Sequence, residues 1–367
     1  MPTQEGGGMK APTFTILAER VFGVVTAKTA ASAVRYLPDR VLSVVDTRFA
    51  GQTVNDALGF GGDIPIFATL SEVLALEPKP EALLVGIAPQ GGALPEEWRG
   101  MVHAALHAGL DVWSGLHTFL SEDPDLASHA AEHGCQLVDL RKPPDDLVVA
   151  TGKAQQTAAL RVLTIGSDCN SGKMTTAIEL KRGLEKVGLQ AGFAATGQTG
   201  ILLEGSGIAV DAVVADFIAG AAERLTLEAD NGADVILVEG QGSLMHPGYS
   251  GVTLGLLHGA IPQAMILTWV PNRPNIYGSN HDWVKLPDLD EVIERYERTL
   301  SWICPDVEGQ VIGVSCATYD MDEEAARSAV EHARNVTGLP ATDPVRFGVE
   351  PLAEAIHDTW EAVVVNG

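Results

Sequence analysis

The stretch from Arg161 to Gly188, RVLTIGSDCNSGKMTTAIELKRGLEKVG, limits what this chain can fold into more than any other. A β-type apolar run feeds a glycine-bounded polar turn, and the turn feeds a helical pattern. Ala177, Leu180, Leu184 and Val187, at spacings of three, four and three, define one helix face, and Gly188 supplies the stop. Strand, loop and helix in that order aim backbone N–H groups and a helix N-terminus at one point, where Lys173 adds a full positive charge. A phosphate is the expected guest, and Gly172 leaves room for the backbone to approach it. The predicted cofactor-binding residues are Gly166, Ser167, Asp168, Cys169, Asn170, Ser171, Gly172, Lys173, Met174, Thr175 and Thr176.

Two departures from the common Walker A pattern matter. Five residues rather than four separate Gly166 from Gly172, and Met174 stands where a Ser or Thr hydroxyl normally ligates magnesium. The side chain of Thr175 points about 100° further round the helix. The five-residue spacing with Asp168 resembles the GTDxxxGKT loop of dethiobiotin synthetase and its relatives, which supports phosphate binding. The missing hydroxyl argues against metal-assisted γ-phosphoryl transfer, and no metal is expected.

Short apolar β-type runs alternate with helical patterns along the whole chain, which predicts an α/β fold with largely parallel sheets. Expected strands are Phe22 to Thr26, Val41 to Asp46, Ala82 to Ile87, Asp111 to Ser114, Cys135 to Asp139, Arg161 to Ile165, Ala191 to Thr196 and Asp234 to Val238. Pro95 to Gly109 reads as a helix between two of them. The polar, proline-containing segment RKPPDDLVVATGKAQQT marks a crossing between domains, so the expected division is 1–150 and 151–367.

The charge balance bears on partners. Forty-eight acidic against 24 basic residues give a net charge of -24, which repels nucleic acid and anionic membranes, although a few local cations can still hold a small anion. Cys135, Cys169, Cys304 and Cys316 show no CxxC or zinc spacing, consistent with a reducing compartment. The Gly-rich start lacks the signal-peptide pattern, and no apolar run approaches the ~20 residues of a membrane span. A cytoplasmic homo-oligomer acting on a small molecule is the expectation. The first half carries no GxGxxG after a strand; GFGGD at Gly59 is too loose, so a nicotinamide dehydrogenase is not predicted.

Polar residues at strand ends supply the remaining candidates. Gln198 and Thr199 follow one strand; Glu239, Gln241, Ser243 and His246 follow another. Glu239 sits where a Walker B acid would, able to hold a metal, orient water or take a proton. In PNRPNIYGSNHDW, Arg273 is a candidate carboxylate clamp. His258 reads as a core residue, Asp211 and Asp216 as helix caps, and the charges of the acidic helix LPDLDEVIERYERTL as a solvated face.

With IGSDCNSGKMTTAIEL, TGQTG, VEGQGSLMHPGYSGVTLGLLHG and the NRPNIYG loop in place, the chain resembles a family long labelled a domain of unknown function. That family combines a Rossmann-like N-terminal domain with a P-loop NTPase-like C-terminal domain. Its association with D-glutamate N-acetylation implies transfer of an acetyl group from acetyl-CoA, with the loop holding the donor's phosphates. Such a reaction needs a general base and oxyanion donors. Glu239 or His246 is the expected catalytic base, the Gly240 to Ser243 amides the oxyanion donors, and Arg273 and Arg48 the cations for a dicarboxylate. Gln198, Thr199, Gln241 and Ser243 complete the expected substrate contacts. The alternative is an MgATP-dependent ligase or kinase, with Thr175 or Thr176 and Glu239 holding magnesium; a non-catalytic nucleotide sensor is a third reading.

Overall fold

In the computed structural model, which describes residues 12–87, 92–278, 281–305 and 307–365, the chain divides into two compact units. One runs up to Lys142 and includes Gln198–Ala212; the other comprises Pro143–Gly197 and everything from Val213 on. The crossing thus falls at 142/143 rather than near 150, and a segment of the second half belongs to the first unit. The Gly-rich start, 1–11, lies outside the described residues. No helix among the described residues is long and apolar enough to cross a membrane.

In the N-terminal unit, β1 (Phe14–Leu17), β2 (Val41–Val45), β3 (Ile66–Phe67), β4 (Ala82–Val85), β5 (Asp111–Ser114) and β6 (Leu137–Asp139) form a parallel sheet of order β3-β2-β1-β4-β5-β6. This is the doubly wound Rossmann order. Every residue of β1 and β4 is buried, as continuous apolar strands covered on both faces must be. The helices are α1 (Lys28–Tyr36), α2 (Val54–Leu58), α3 (Leu70–Val73), α4 (Glu96–His107) and α5 (Pro124–His133). No strand forms at Phe22 to Thr26. There Arg20 takes φ 62°, the Phe22 amide donates to Asp46 Oδ2 at 2.9 Å, and Val24 and Val25 are left exposed. The β-propensity of FGVVT is overridden by a turn.

The C-terminal unit holds β7 (Leu160–Gly166), β8 (Ala191–Ala194), β9 (Val235–Val238), β10 (Ala264–Trp269), β11 (Gln310–Cys316) and β12 (Ala341–Thr342), again all parallel, in the order β12-β11-β10-β7-β9-β8. Its helices are α6 (Lys173–Lys186), α8 (Ile218–Ala229), α9 (Ser250–Ala260), α10 (Leu289–Leu300), α11 (Glu323–Thr337) and α12 (Glu350–Trp360), while α7 (Gln198–Glu204) belongs to the N-terminal unit. β7 is interior and buried along its whole length, so the loop that leaves it is anchored between β9 and β10.

One core cluster packs Leu180 and Leu184 of α6 with Leu160, Val162, Val235 and Leu237 of the sheet and Leu352 and Ile356 of α12. Val187 is 54% exposed, because the helix ends at Lys186 and the chain has turned before the next core position. α10 does expose its acidic Asp290, Glu291 and Glu294, and its opposite stripe of Leu289, Val292, Tyr296 and Leu300 is buried. Asp211 pairs with Arg141 instead of capping a helix, and His258 is half-buried with an Nε2 lacking a hydrogen-bond partner among the described residues. Leu184→Ala should therefore cost about 2–5 kcal/mol in urea unfolding, and Val187→Ala no more than about 0.5 kcal/mol; equal losses would contradict this packing.

Candidate functional site

β7 ends at Gly166, and the chain turns through Asn170 (φ 55°) and Gly172 (φ 95°) before α6 begins at Lys173. The left-handed backbone at Gly172, rather than crowding, is what requires glycine there: a Cβ would meet only Ala317 at 3.9 Å. At Gly166 space decides, since a Cβ would lie 2.6 Å from Ser171 Oγ and 2.7 Å from Lys173 Nζ. No side chain caps α6, so its first-turn amides face the loop without intrahelical partners. Ser167 Oγ is buried without a hydrogen-bond partner among the described residues. These features fit an anionic group.

A buried carboxylate organises the loop. Asp168 has 0% exposure; its Oδ2 pairs with Arg273 Nη1 at 2.8 Å and accepts from the Tyr277 amide at 2.6 Å, while Oδ1 accepts from the Cys169 amide at 2.6 Å. Arg273 Nη1 also donates to the Cys169 carbonyl at 2.9 Å, so the segment after β10 is clasped to the loop after β7. Ser171 Oγ meets Thr268 Oγ1 of β10 at 2.6 Å, and Ser243 Oγ donates to the Ser167 carbonyl at 3.0 Å. Tyr296, fully buried, donates to the Gly166 carbonyl at 2.7 Å and accepts from the Leu244 amide at 3.2 Å. Burial pushes its phenol up to about 12. Tyr296 went unnoticed in the sequence, although its spacing from Leu289, Val292 and Leu300 was the available signal.

Lys173 Nζ is buried and donates to the Asp168 carbonyl at 2.8 Å and to Ser171 Oγ at 3.2 Å. Burial pushes its pKa below the ordinary lysine value, against the pull of Cys169 and Asp168. Burial likewise pushes the His246 imidazole below its usual value, with the Asp168 charge acting the other way. His246 Nδ1 accepts from the Gly248 amide at 3.1 Å, and its ring lies 4.8 Å from that of His281. Asp168, Cys169 and His246 bring possible ligand atoms within 4.8 Å of one another. The carboxylate among them already serves Arg273 and two amides, and the imidazole already serves Gly248.

The other expected residues fall into distinct environments. Glu239 Oε2 accepts from the Thr196 and Gly197 amides at 3.0 and 3.1 Å, and Oε1 accepts from Gln241 Nε2 at 3.0 Å. The Gly240 amide donates to Thr164 Oγ1, which removes it from the oxyanion donors. Thr176 Oγ1 lies 2.7 Å from Ser315 Oγ in the core, while Met174 and Thr175 are half-buried. Gln198 and Thr199 open α7 in the N-terminal unit, where Gln198 Oε1 accepts from Arg141 Nε at 3.0 Å. Arg48 is also in that unit and is held by Asp46 at 2.9 Å and by the Phe22 carbonyl at 3.0 Å. Tyr296→Phe would leave the Leu244 amide and the Gly166 carbonyl unsatisfied, and should cost about 1–3 kcal/mol; an unfolding midpoint unchanged from the parent would refute the bracing role.

Comparison with known proteins agrees with these two units. Residues 148–353 match the domain of unknown function described as the DUF1611_C P-loop domain, and residues 47–143 match the DUF1611_N Rossmann-like domain. A D-glutamate N-acetyltransferase of Pseudoalteromonas sp is 37% identical over 272 residues, covering 74% of this chain and 80% of that protein. Another, from Tritonibacter scottomollicae, is 38% identical over 289 residues, covering 78% and 84%. The crystal structure of a DUF1611 family protein from Anabaena variabilis superposes with a TM-score of 0.88 at 38% identity, covering 95% of this chain and 99% of that one. The chain belongs to the DUF1611 family and, like its curated relatives, is an acyltransferase.

Proposed function

We propose that this chain transfers the acetyl group of acetyl-CoA to the amino group of D-glutamate or a closely similar amino acid, with the loop from Gly166 to Thr176 holding the donor's phosphates. The observation that carries this reading is the environment of the loop's hydroxyls. Met174 replaces the usual magnesium ligand, Thr176 is turned onto Ser315, and Glu239 is held by the Thr196 and Gly197 amides. The MgATP alternative needs a hydroxyl beside Lys173 together with Glu239 for its metal, which leaves it only Thr175, about 100° further round the helix. Coenzyme A presents a pyrophosphate and a ribose phosphate, which need only amides, Lys173 and the uncapped N-terminus of α6.

The reaction forms an N–C bond and breaks the thioester C–S bond, and the amine proton passes through a base to the departing thiolate. His246 is the better base of the two expected. Burial pushes its pKa below the usual value and so favours the unprotonated form, whereas the Glu239 carboxylate is committed to amides. Taking a proton at Nδ1 requires the 3.1 Å contact from the Gly248 amide to open. The amides of Gln241, Gly242 and Ser243 remain as oxyanion donors. Arg273 spends Nη1 on Asp168 and Cys169, and among the described residues its Nε and Nη2 have no hydrogen-bond partner, so that edge suits an acceptor carboxylate.

Purified protein given D-glutamate and acetyl-CoA should release free thiol in the presence of a metal chelator, and ADP formation from MgATP would overturn the reading. Because the neutral imidazole is the active form, kcat/KM should fall on the acid side with a midpoint below the ordinary value of about 6.5. A midpoint above that value, or an acid limb retained in His246→Asn, would remove His246 from the role.

A further inference from the structure

Two helices of the N-terminal unit carry histidine pairs at the same spacing, His103 and His107 on α4 and His129 and His133 on α5. A separation of four places each pair on one helix face. The two faces meet: His107 Nδ1 lies 2.9 Å from His133 Nε2, and the His129 ring lies 4.8 Å from that of His103 and 4.4 Å from that of His133. His133 Nδ1 is 3.0 Å from the His129 carbonyl, which can only accept, so the proton sits on Nδ1 and the lone pair of Nε2 points at His107. His129 Nε2 is buried with no hydrogen-bond partner among the described residues. One ligating atom from each of His107, His129 and His133 lies within 4.8 Å of the others.

Packing alone does not account for this arrangement. His107 Nδ1 and His133 Nε2 can share one proton in a hydrogen bond, but the buried His129 Nε2 beside them has no partner among the described residues, and a buried polar atom left unpaired is a cost. A cation with a preference for imidazole would use that nitrogen together with the lone pair of His133 Nε2. Zinc bonds of 2.0–2.1 Å at tetrahedral angles separate ligand nitrogens by about 3.3 Å, within reach of small ring rotations. The surrounding charges hold the helices in place. Arg99 of α4 pairs with Asp123 at 2.7 Å and Asp125 at 2.9 Å, and Asp125 Oδ2 is 2.9 Å from His103 Nε2. The Arg99 guanidinium holds the Asp123 carboxyl well below the usual carboxylate range.

We infer that α4 and α5 form a binding site for a divalent transition metal of the zinc, nickel and copper class, ligated by His107, His129 and His133. His107 is exposed, so the remaining coordination position opens to solvent. The metal clasps the two helices together and is separate from the acetyl-transfer chemistry.

The test is a titration of Zn²⁺ and Co²⁺ into the metal-free full chain, with bound metal counted after desalting and thermal unfolding followed in parallel. One equivalent should bind and raise the unfolding temperature. The Co²⁺ form should show the visible bands of nitrogen ligation without thiolate charge transfer. His107→Ala with His133→Ala should weaken binding by at least about tenfold and abolish the thermal shift; alanine favours the helix at both positions, so the fold should persist. His133→Asn, which keeps a polar side chain of similar size, should lose the metal as well. Cys169→Ala should bind like the parent, which separates this cluster from Asp168, Cys169 and His246. Absence of bound metal in the parent, equal binding by the histidine variants, or loss in Cys169→Ala would overturn the assignment.

Discussion

The Asp168 carboxylate, with no solvent exposure, is the point on which the C-terminal unit's chemistry depends. It joins the loop after β7 to the segment after β10 through Arg273 and the Tyr277 amide, and it fixes the loop's own turn through the Cys169 amide. A buried carboxylate is tolerable only with such partners, and removing one of them leaves an uncompensated charge. The same interaction sets the Asp168 carbonyl where Lys173 Nζ reaches it. Lysine, arginine and aspartate thus form one electrostatic unit beside the uncapped start of α6.

Phosphate binding at this loop, as proposed, is compatible with a net charge of -24 because the arrangement is local. Distant exposed carboxylates are screened beyond about 8–10 Å, whereas Lys173, Arg273 and the α6 amides act at contact range. Burial acts in the same direction on both nitrogen bases of the site. It pushes the His246 imidazole below its usual value, which leaves more of it in the unprotonated form a base must start from, and it likewise lowers the affinity of Lys173 for its proton, so a phosphate held there would strengthen the charged form.

What the sequence made legible was local. The strand, glycine turn and helix around Lys173 appear in one run of residues, and the buried face of Ala177, Leu180 and Leu184 follows from spacing alone. What escaped were contacts whose partners lie far along the chain, as with Tyr296 and Gly166, 130 residues apart. The excess of acidic residues in LPDLDEVIERYERTL hid an apolar stripe. Arg273 is a candidate cation from the sequence, but its pairing with Asp168, 105 residues away, could not be read from spacing. Nor does a histidine pair on each of two helices announce that the pairs face each other. At Phe22 to Thr26 an apolar run signalled a strand that a long-range bond to Asp46 prevents.

The central claim is that this loop grips the phosphates of coenzyme A without a divalent ion. Calorimetric titration of coenzyme A against ATP, each with excess chelator and with excess magnesium, tests it most directly. The account predicts that coenzyme A binds equally well in both buffers and that Lys173→Ala abolishes the heat. Tight binding of ATP only with magnesium, with no heat from coenzyme A, would contradict it.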